Sequence, residues 1–484
     1  MKPEGQTDVI TKLKQLYALE TIQKILLIYL CLQPVIDIGT SLLVRGGVNL
    51  TFGVVLRAIF LLFMGVYLLF FYKGPKKKLI VAYIAALCAY VLLQFGLLLA
   101  GGGAGALFTN LKETVKVFYF PCVLLAFWAL YRQYGYLMPD KPLVRIAVFY
   151  TLTIFISFVT NTSFQSYTGN GYCGWFYAAN EISAITIILS PLVFYHYTSR
   201  DAFEAMRTGG GKQRGLTIAA GAASVLLMLF ASVYLATKAA LLGVAAYLLC
   251  FFVWSVFRLE ITRDKLYLFR MVAAVVMIAL LAGLYLAASP VKKHLTERMT
   301  WFHHVQVEQT TVPTTVDTNQ TTAPPPIHDT HAYRVANWLL SSRLSNSRSV
   351  LFQYLESGPA YKLLGIGYAN LPGYEYNAEI AVEMDFISVF YRHGVVGLFL
   401  FAAPFFALLA TAIKRSFRSL KACLASLTWC TCLYQVMIGF AVGFLTGHTF
   451  VAPAVSIYVI FMTVKLLAVS ERLTAAPAGG ESKR

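Results

Sequence analysis

The feature that most constrains this chain is its series of separate apolar runs, each of about twenty residues, the length a helix needs to cross a bilayer. Composition agrees, because 58% of the residues are hydrophobic and only 13% are charged, whereas soluble domains average about 25% charged residues. Too few charges are present to coat several soluble cores. The sequence therefore excludes an ordinary water-soluble enzyme and a disordered chain, and it predicts an all-α polytopic membrane protein.

About twelve transmembrane helices are predicted from these runs. They lie near residues 25–44, 54–72, 79–99, 115–131, 143–160, 178–197, 215–236, 239–257, 270–288, 386–412, 420–443 and 446–469. The corresponding domains are an N-terminus (1–24), helices 1–9 (25–288), a large loop between helices 9 and 10 (289–385), helices 10–12 (386–469) and a tail (470–484).

The positive charges predict how the chain is oriented. Of its 40 lysines and arginines, 27 lie in the segments on one side of the predicted spans, and the bias has the same sign at every turn. Because cytoplasmic loops carry the excess of Lys and Arg, both termini are predicted to be cytoplasmic and the loop 289–385 external. Within that loop, 308–329 is Thr/Pro-rich and expected to be flexible. Residues 331–356 have the spacing of two short amphipathic helices.

The cysteines indicate neither a disulfide framework nor a structural metal site. Eight cysteines include no CxxC pair, and seven of them fall within apolar runs. This pattern argues against a structural zinc site, and we expect no cofactor.

Ionisable groups near membrane depth are candidates for function, because charge is costly there. The candidates in the first part of the chain lie at predicted external helix ends: Asp37, Glu113, Lys116, Asn180, Glu181 and Lys238. For each of them, the alternative is a paired or interfacial group that only fixes packing.

A second group of candidates surrounds the start of the tenth span. Its members are Arg343, Arg348, Gly365, Gly367, Tyr368, Glu379, Glu383 and Asp385. In a helix, Glu379 and Glu383 would share one face and repel, an arrangement that suits a general base or needs cationic partners. Arginines match the oxygens of a diphosphate. The alternative is a solvated acidic loop held by surface ion pairs. Trp175 and Tyr368 are candidates for stacking on sugars, although interfacial aromatics are usually anchors.

Five short segments in a fixed order carry a family resemblance: ATKAALLG, SSR, LLGIGY, EMD and GVVG. From about residue 170 to 450 the chain resembles the O-antigen ligase and polymerase superfamily, and more narrowly its Gram-positive branch of teichuronic acid and exopolysaccharide polymerases. The resemblance implies a GT-C-like fold in the bacterial cytoplasmic membrane. It also implies metal-independent transfer of a glycan from undecaprenyl diphosphate to an acceptor hydroxyl at the outer face, with no role for nucleic acid.

The resemblance also suggests roles for individual residues. Lys238 matches a basic residue at an external helix start that contacts the lipid diphosphate, and Arg343 or Arg348 matches a loop arginine. The family motif of histidine, a small polar residue, nine residues and GxxG places Glu383 where the histidine stands. Whether Glu383 or Asp385 is the catalytic base stays open. The remaining candidates for substrate binding are Asn180, Glu181, Gly365, Gly367, Tyr368 and Glu379.

Polymerase and ligase differ only in the acceptor, and the sequence does not separate them. Outside the enzymes, the competing prediction is a transporter or flippase of lipid-linked glycans. Such a protein more often has two similar halves and helices broken at midmembrane. No internal repeat is visible in the sequence, which favours the enzyme.

Overall fold

The computed structural model of the protein describes residues 14–48, 52–101, 107–167, 170–288, 343–368 and 382–475. In these ranges, eleven helices are long and apolar enough to cross a membrane, or twelve if the bent pair Ala179–Tyr197 and Arg200–Thr208 forms one span. The prediction of an all-α, multi-pass membrane protein is confirmed. The predicted flexible segment 308–329 lies outside the described residues.

The described helices fall into two parts of the chain, up to residue 288 and from residue 343 onward. The first part contains α1 (Leu19–Arg45), α2 (Phe52–Val66, continued by a π-helical turn at Tyr67–Phe71), α3 (Lys77–Ala100), α4 (Leu107–Tyr134), α5 (Asp140–Val159), α6 (Ala179–Tyr197), α7 (Arg200–Thr208), α8 (Gly211–Tyr234), α9 (Lys238–Thr262) and α10 (Lys265–Ala288). An antiparallel hairpin of β1 (Gln165–Tyr167) and β2 (Asn170–Tyr172) joins α5 to α6. The second part contains α11 (Arg343–Glu356), α12 (Pro359–Leu364), α13 (Asp385–Arg418), α14 (Leu420–Ala425), α15 (Leu427–Leu445) and α16 (Pro453–Ala475).

The helix α16 forms the centre of the bundle. It is almost wholly enclosed and packs against α4, α13 and α15. Its sequence explains this position, because a helix that is apolar on all sides must be buried or face lipid. Near its C-terminus, Glu471 accepts ion pairs from Arg132 and Arg415, each at 2.5 Å. Lys465 pairs with Asp140 in the same region. These contacts hold the end of the bundle that is predicted to be cytoplasmic.

The helix α13 is broken near its start. Gly394 has φ 67° and ψ −173°, which lies outside the helical region. The carbonyls of Tyr391 and Arg392 instead accept hydrogen bonds from the backbone N–H groups of Ile366 and Gly367, each at 3.1 Å. The segment after α12 therefore replaces the helical hydrogen bonds that the break removes.

One predicted span differs from the structure. The predicted helix 420–443 consists of the short α14 and the longer α15, because Ser426 ends the first and caps the second by accepting a hydrogen bond from the Trp429 N–H at 3.3 Å. Two amphipathic helices are predicted in 331–356; α11 covers 343–356, and residues 331–342 lie outside the described residues.

Candidate active site

A cavity of about 590 Å³ lies at one end of the bundle, where the C-terminal part of α1 meets the N-terminal parts of α2, α4, α6, α13 and α16. This end is the one predicted to be external. The volume is in the range of small-molecule sites. Its ionisable lining residues are Asp37, Arg57, Lys112, Glu113, Lys116, Glu181, Tyr177, Tyr368, Arg392 and His448.

The α1–α2 wall carries an ion pair between Arg57 and Asp37. Asp37 also accepts a hydrogen bond from the Tyr150 hydroxyl at 2.6 Å, and Arg57 donates to Gln33 at 3.2 Å. Asp37, which the sequence singled out, thus has a cationic partner on the next helix. A charge at this depth needs such a partner.

The α4 wall carries two lysines for one carboxylate. The Lys116 ammonium lies 2.8 Å from the Glu113 carboxylate, and that of Lys112 lies 3.5 Å from the same oxygen. All three side chains are partly exposed within the cavity lining. This wall therefore presents one more positive charge than negative.

Arg392 and Tyr368 form the part of the lining next to the α13 break. Arg392 donates to the Gly367 carbonyl at 2.9 Å, and its guanidinium carbon lies 5.3 Å from the centre of the Tyr368 ring. The Tyr368 hydroxyl lies 3.1 Å from His393 Nε2. Burial raises the pKa of Tyr368, and the negative charge of Glu113 raises it further. The phenol is therefore neutral.

Glu383 pairs with Arg343. The Arg343 Nε lies 2.7 Å from Glu383 Oε2, and 32% of the Glu383 side chain stays exposed. The preceding residue, Val382, lines the cavity, so this pair lies at its edge. Gly447, with φ +73°, packs against the Glu383 carbonyl so closely that no side chain fits there. The backbone of Glu383 is thereby fixed.

Asp385 has a different environment. Its carboxylate is buried and accepts three backbone N–H bonds, from His448 at 2.7 Å, Thr449 at 2.9 Å and Phe450 at 2.6 Å. These bonds hold the loop between α15 and α16, which supplies part of the cavity wall. The geometry gives Asp385 an anchoring position and leaves Glu383 the more accessible of the two carboxylates.

The other predicted site residues are distributed as follows. Tyr368 and Glu181 line the cavity, whereas the predicted diphosphate ligands Lys238, Arg343 and Arg348 are not among its described lining residues. Lys238 is half-buried at the start of α9, Asn180 lies beside Glu181 in α6, and Arg348 lies 5.5 Å from the ring of Phe352. Gly365 and Gly367 form the segment bonded to α13, and Glu379 lies outside the described residues.

Sequence reasoning missed two cations of the lining, Arg57 and Lys112, and one histidine, His448. Arg57 interrupts an apolar run and could have been found by the rule that intramembrane charges mark sites or partners. Lys112 directly precedes Glu113, which was already a candidate, so its position in the sequence could have identified it. His448 lies in a short loop that carries no distinguishing pattern. Across the described ranges, no group of three or more His, Cys, Asp or Glu is arranged to hold a metal ion.

Comparison with known protein families gives a match. The family model described as O-antigen ligase like membrane protein matches residues 19–472, nearly the whole chain. No curated protein matches the chain significantly.

Proposed function

The chain belongs to the O-antigen ligase like membrane proteins, whose members ligate or polymerise lipid-linked glycans, and we propose that it transfers a glycan from undecaprenyl diphosphate to an acceptor hydroxyl. The reaction takes place at the outer face of the bacterial cytoplasmic membrane, with both termini inside. The acceptor is another lipid-linked repeat or a cell-wall polymer, so the product is a cell-surface polysaccharide. The chemistry proposed uses no metal.

The positive excess of the cavity is the observation that carries this proposal, because four Lys and Arg side chains share its lining with three carboxyl groups. Arg57, Lys112, Lys116 and Arg392 line the cavity together with the first residues of α16. When the sugar–phosphate bond breaks, negative charge grows on the departing diphosphate. Fixed cations and a helix N-terminus stabilise that charge more than they stabilise the bound donor. These residues are a better candidate diphosphate site than the three predicted from sequence.

The remaining requirement is a base. In the proposed step, Glu383 takes the proton of the acceptor hydroxyl and the hydroxyl oxygen attacks the anomeric carbon of the donor. The bond from that carbon to the phosphate oxygen breaks, and undecaprenyl diphosphate leaves with the electron pair. Arg343 holds the Glu383 carboxylate in place. Attack on the face opposite the diphosphate inverts the anomeric centre.

Binding of undecaprenyl diphosphate without a glycan tests the proposed site. We expect the double variant Lys112→Gln/Lys116→Gln to bind it at least about 10-fold more weakly, since each tenfold corresponds to about 1.4 kcal/mol. Lys78→Gln, an exposed lysine at the opposite end of the bundle, is the matched control and should bind like the wild type. Equal affinity in all three proteins would show that the α4 lysines do not bind the diphosphate.

A transporter or flippase of lipid-linked glycans is the alternative function. The break in α13 at Gly394 favours it, because transporters build binding sites from discontinuous helices. At this break, however, the Arg392 carbonyl accepts hydrogen bonds from Gly367 N–H at 3.1 Å and from the Gln94 amide at 2.9 Å. Carbonyls that are already bonded offer little to a substrate, and this supports the enzyme.

A further inference from the structure

One part of the cavity lining has no role in the proposed step. Residues 176–178, 181 and 182 line the cavity, and among them Tyr177 and Glu181 carry polar groups. Tyr177 is 57% exposed although it belongs to the cavity lining, so its ring lies at the mouth. Aromatic anchors of membrane proteins face the lipid headgroups. This ring instead faces a space that it shares with lysines and carboxylates.

The backbone that carries Tyr177 is fixed. Gly174, with φ +68°, forms a tight turn, and its carbonyl accepts a hydrogen bond from the Phe164 N–H at 2.8 Å. Phe176 is almost fully buried, and its ring centre lies 5.2 Å from that of Tyr150. The position of Tyr177 is therefore set before any ligand arrives, which lowers the cost of binding.

One side of the Tyr177 ring is covered from within the protein. The Arg45 guanidinium lies 3.8 Å from the centre of the Phe164 ring and 5.8 Å from that of Tyr177. More than half of the Tyr177 side chain remains exposed, which leaves the other side available to a flat apolar surface. The C–H face of a pyranose is such a surface.

Glu181 lies four residues further along, in the first turn of α6. No hydrogen bond or ion pair within the described part of the chain holds its carboxylate. His448, Asp37, Arg57 and Lys116 lie within electrostatic interaction range of it. The carboxyl group has two oxygens that can accept hydrogen bonds, and these match the paired hydroxyl donors of a sugar.

We propose that Tyr177 and Glu181 form a pyranose subsite at the cavity mouth, with the ring of Tyr177 under the sugar and Glu181 accepting hydrogen bonds from its hydroxyls. This subsite rests on the proposed function and refines it. It selects a sugar with free hydroxyls, because these donate the hydrogen bonds that the Glu181 carboxyl group accepts. The sugar belongs either to the donor glycan or to the acceptor, and the kinetic test separates these two sources.

Steady-state transfer by the purified full-length protein provides the first test, with donor and acceptor concentrations varied separately. Glu181→Gln is expected to raise the KM for one substrate at least about 10-fold, the loss expected for a hydrogen bond to a charged group, with little change in kcat. Tyr177→Leu should raise the same KM, because leucine offers no flat ring on which the sugar can stack. Tyr177→Trp should restore a KM near that of the wild type. If the donor KM rises, the subsite holds the donor sugar, and if the acceptor KM rises, it holds the acceptor. Glu204→Gln and Tyr134→Leu, at the opposite end of the bundle, are the matched controls.

Binding of the free, labelled repeat-unit oligosaccharide of the host glycan provides a second test that needs no turnover. Weaker binding by Glu181→Gln and Tyr177→Leu, with unchanged thermal unfolding, supports the subsite even if the wild-type protein transfers nothing and the proposed function fails. Unfolding is measured alongside because a carboxylate in the first turn also favours the helix. If both variants bind the oligosaccharide as tightly as the wild type and their KM values are unchanged, the subsite is overturned. The proposed function would remain intact.

Discussion

Glu383 and Asp385 are separated by a single residue, yet their carboxylates have opposite surroundings. Asp385 is buried and accepts three backbone N–H bonds, whereas Glu383 is partly exposed and paired with Arg343. The Asp385 carboxylate is enclosed and both of its oxygens already accept N–H bonds, so an acceptor hydroxyl can reach Glu383 more easily than Asp385. Substitutions of the two residues should therefore have different effects, one on the transfer rate and the other on stability.

We expect Glu383→Gln to lower the transfer rate at least about 100-fold, the usual contribution of a general base, while the unfolding temperature in detergent stays close to that of the wild type. Asp385→Asn should lower that temperature, because an amide has one acceptor oxygen for three N–H donors. Its unfolding free energy should fall by at least about 2 kcal/mol. Full activity of Glu383→Gln would exclude Glu383 as the base.

The two acidic residues could be found from the sequence, but their different roles could not. The partners of Asp385 come from His448 to Phe450, which follow it by 63 to 65 positions. No local pattern links these segments. The Arg343–Glu383 pair is closer to a prediction, since both residues were selected by chemistry and family motif, and the structure places them in contact.

At the scale of elements, backbone hydrogen bonds join the segment that follows α12 to α13, and this contact positions one side of the cavity. Gly365 has φ +92° and packs against the backbone of Arg392 and His393, and Gly394 packs against that of Leu363. Only glycine allows two backbones to approach so closely. The break in α13 and the position of Arg392 in the cavity depend on each other.

Gly365→Ala should therefore separate these elements. The added methyl group has no space beside Arg392, and the positive φ disfavours any side chain. We expect the unfolding free energy to fall by at least about 2 kcal/mol, together with loss of diphosphate binding. Gly96→Ala in α3, where nothing lies within 4 Å of the new methyl group, is the control. Equal stability of the two variants would contradict this account of the break.

The spans were predictable because the length of an apolar run decides whether a helix crosses a bilayer. The break in α13 was not, because glycine inside an apolar run is also compatible with a continuous helix. What breaks the helix here is a backbone contact with residues 363–367. Long-range contacts of this kind leave no periodic trace in the sequence.

At the scale of the whole molecule, the cavity combines residues from both halves of the chain. Arg57, Lys112 and Lys116 come from α2 and α4, whereas Arg392 and His448 come from the second part. The motifs behind the family resemblance begin near residue 170, so sequence reasoning assigned the diphosphate ligands only to later positions. The family match spans residues 19–472 and so includes the helices that carry Arg57, Lys112 and Lys116.

The orientation of the bundle can be measured independently of activity. With the native cysteines replaced by alanine, a membrane-impermeant maleimide applied to intact cells should label Thr160→Cys at the cavity end. It should not label Thr208→Cys, which ends α7 at the opposite side. The expectation follows from the excess of Lys and Arg on the α7 side. The reverse labelling pattern would place the cavity in the cytoplasm.

The measurement that tests the central claim most directly is a single-enzyme assay in liposomes. It supplies the host's undecaprenyl-diphosphate glycan, resolves the products by size and compares the wild type with the Lys112→Gln/Lys116→Gln variant. We predict larger glycan products from the wild type, as a ladder of lipid-linked chains for a polymerase or one longer product on an added acceptor for a ligase. Both should be strongly reduced in the variant. Products of unchanged size, with glycan appearing on the opposite leaflet, would contradict the account and identify a flippase.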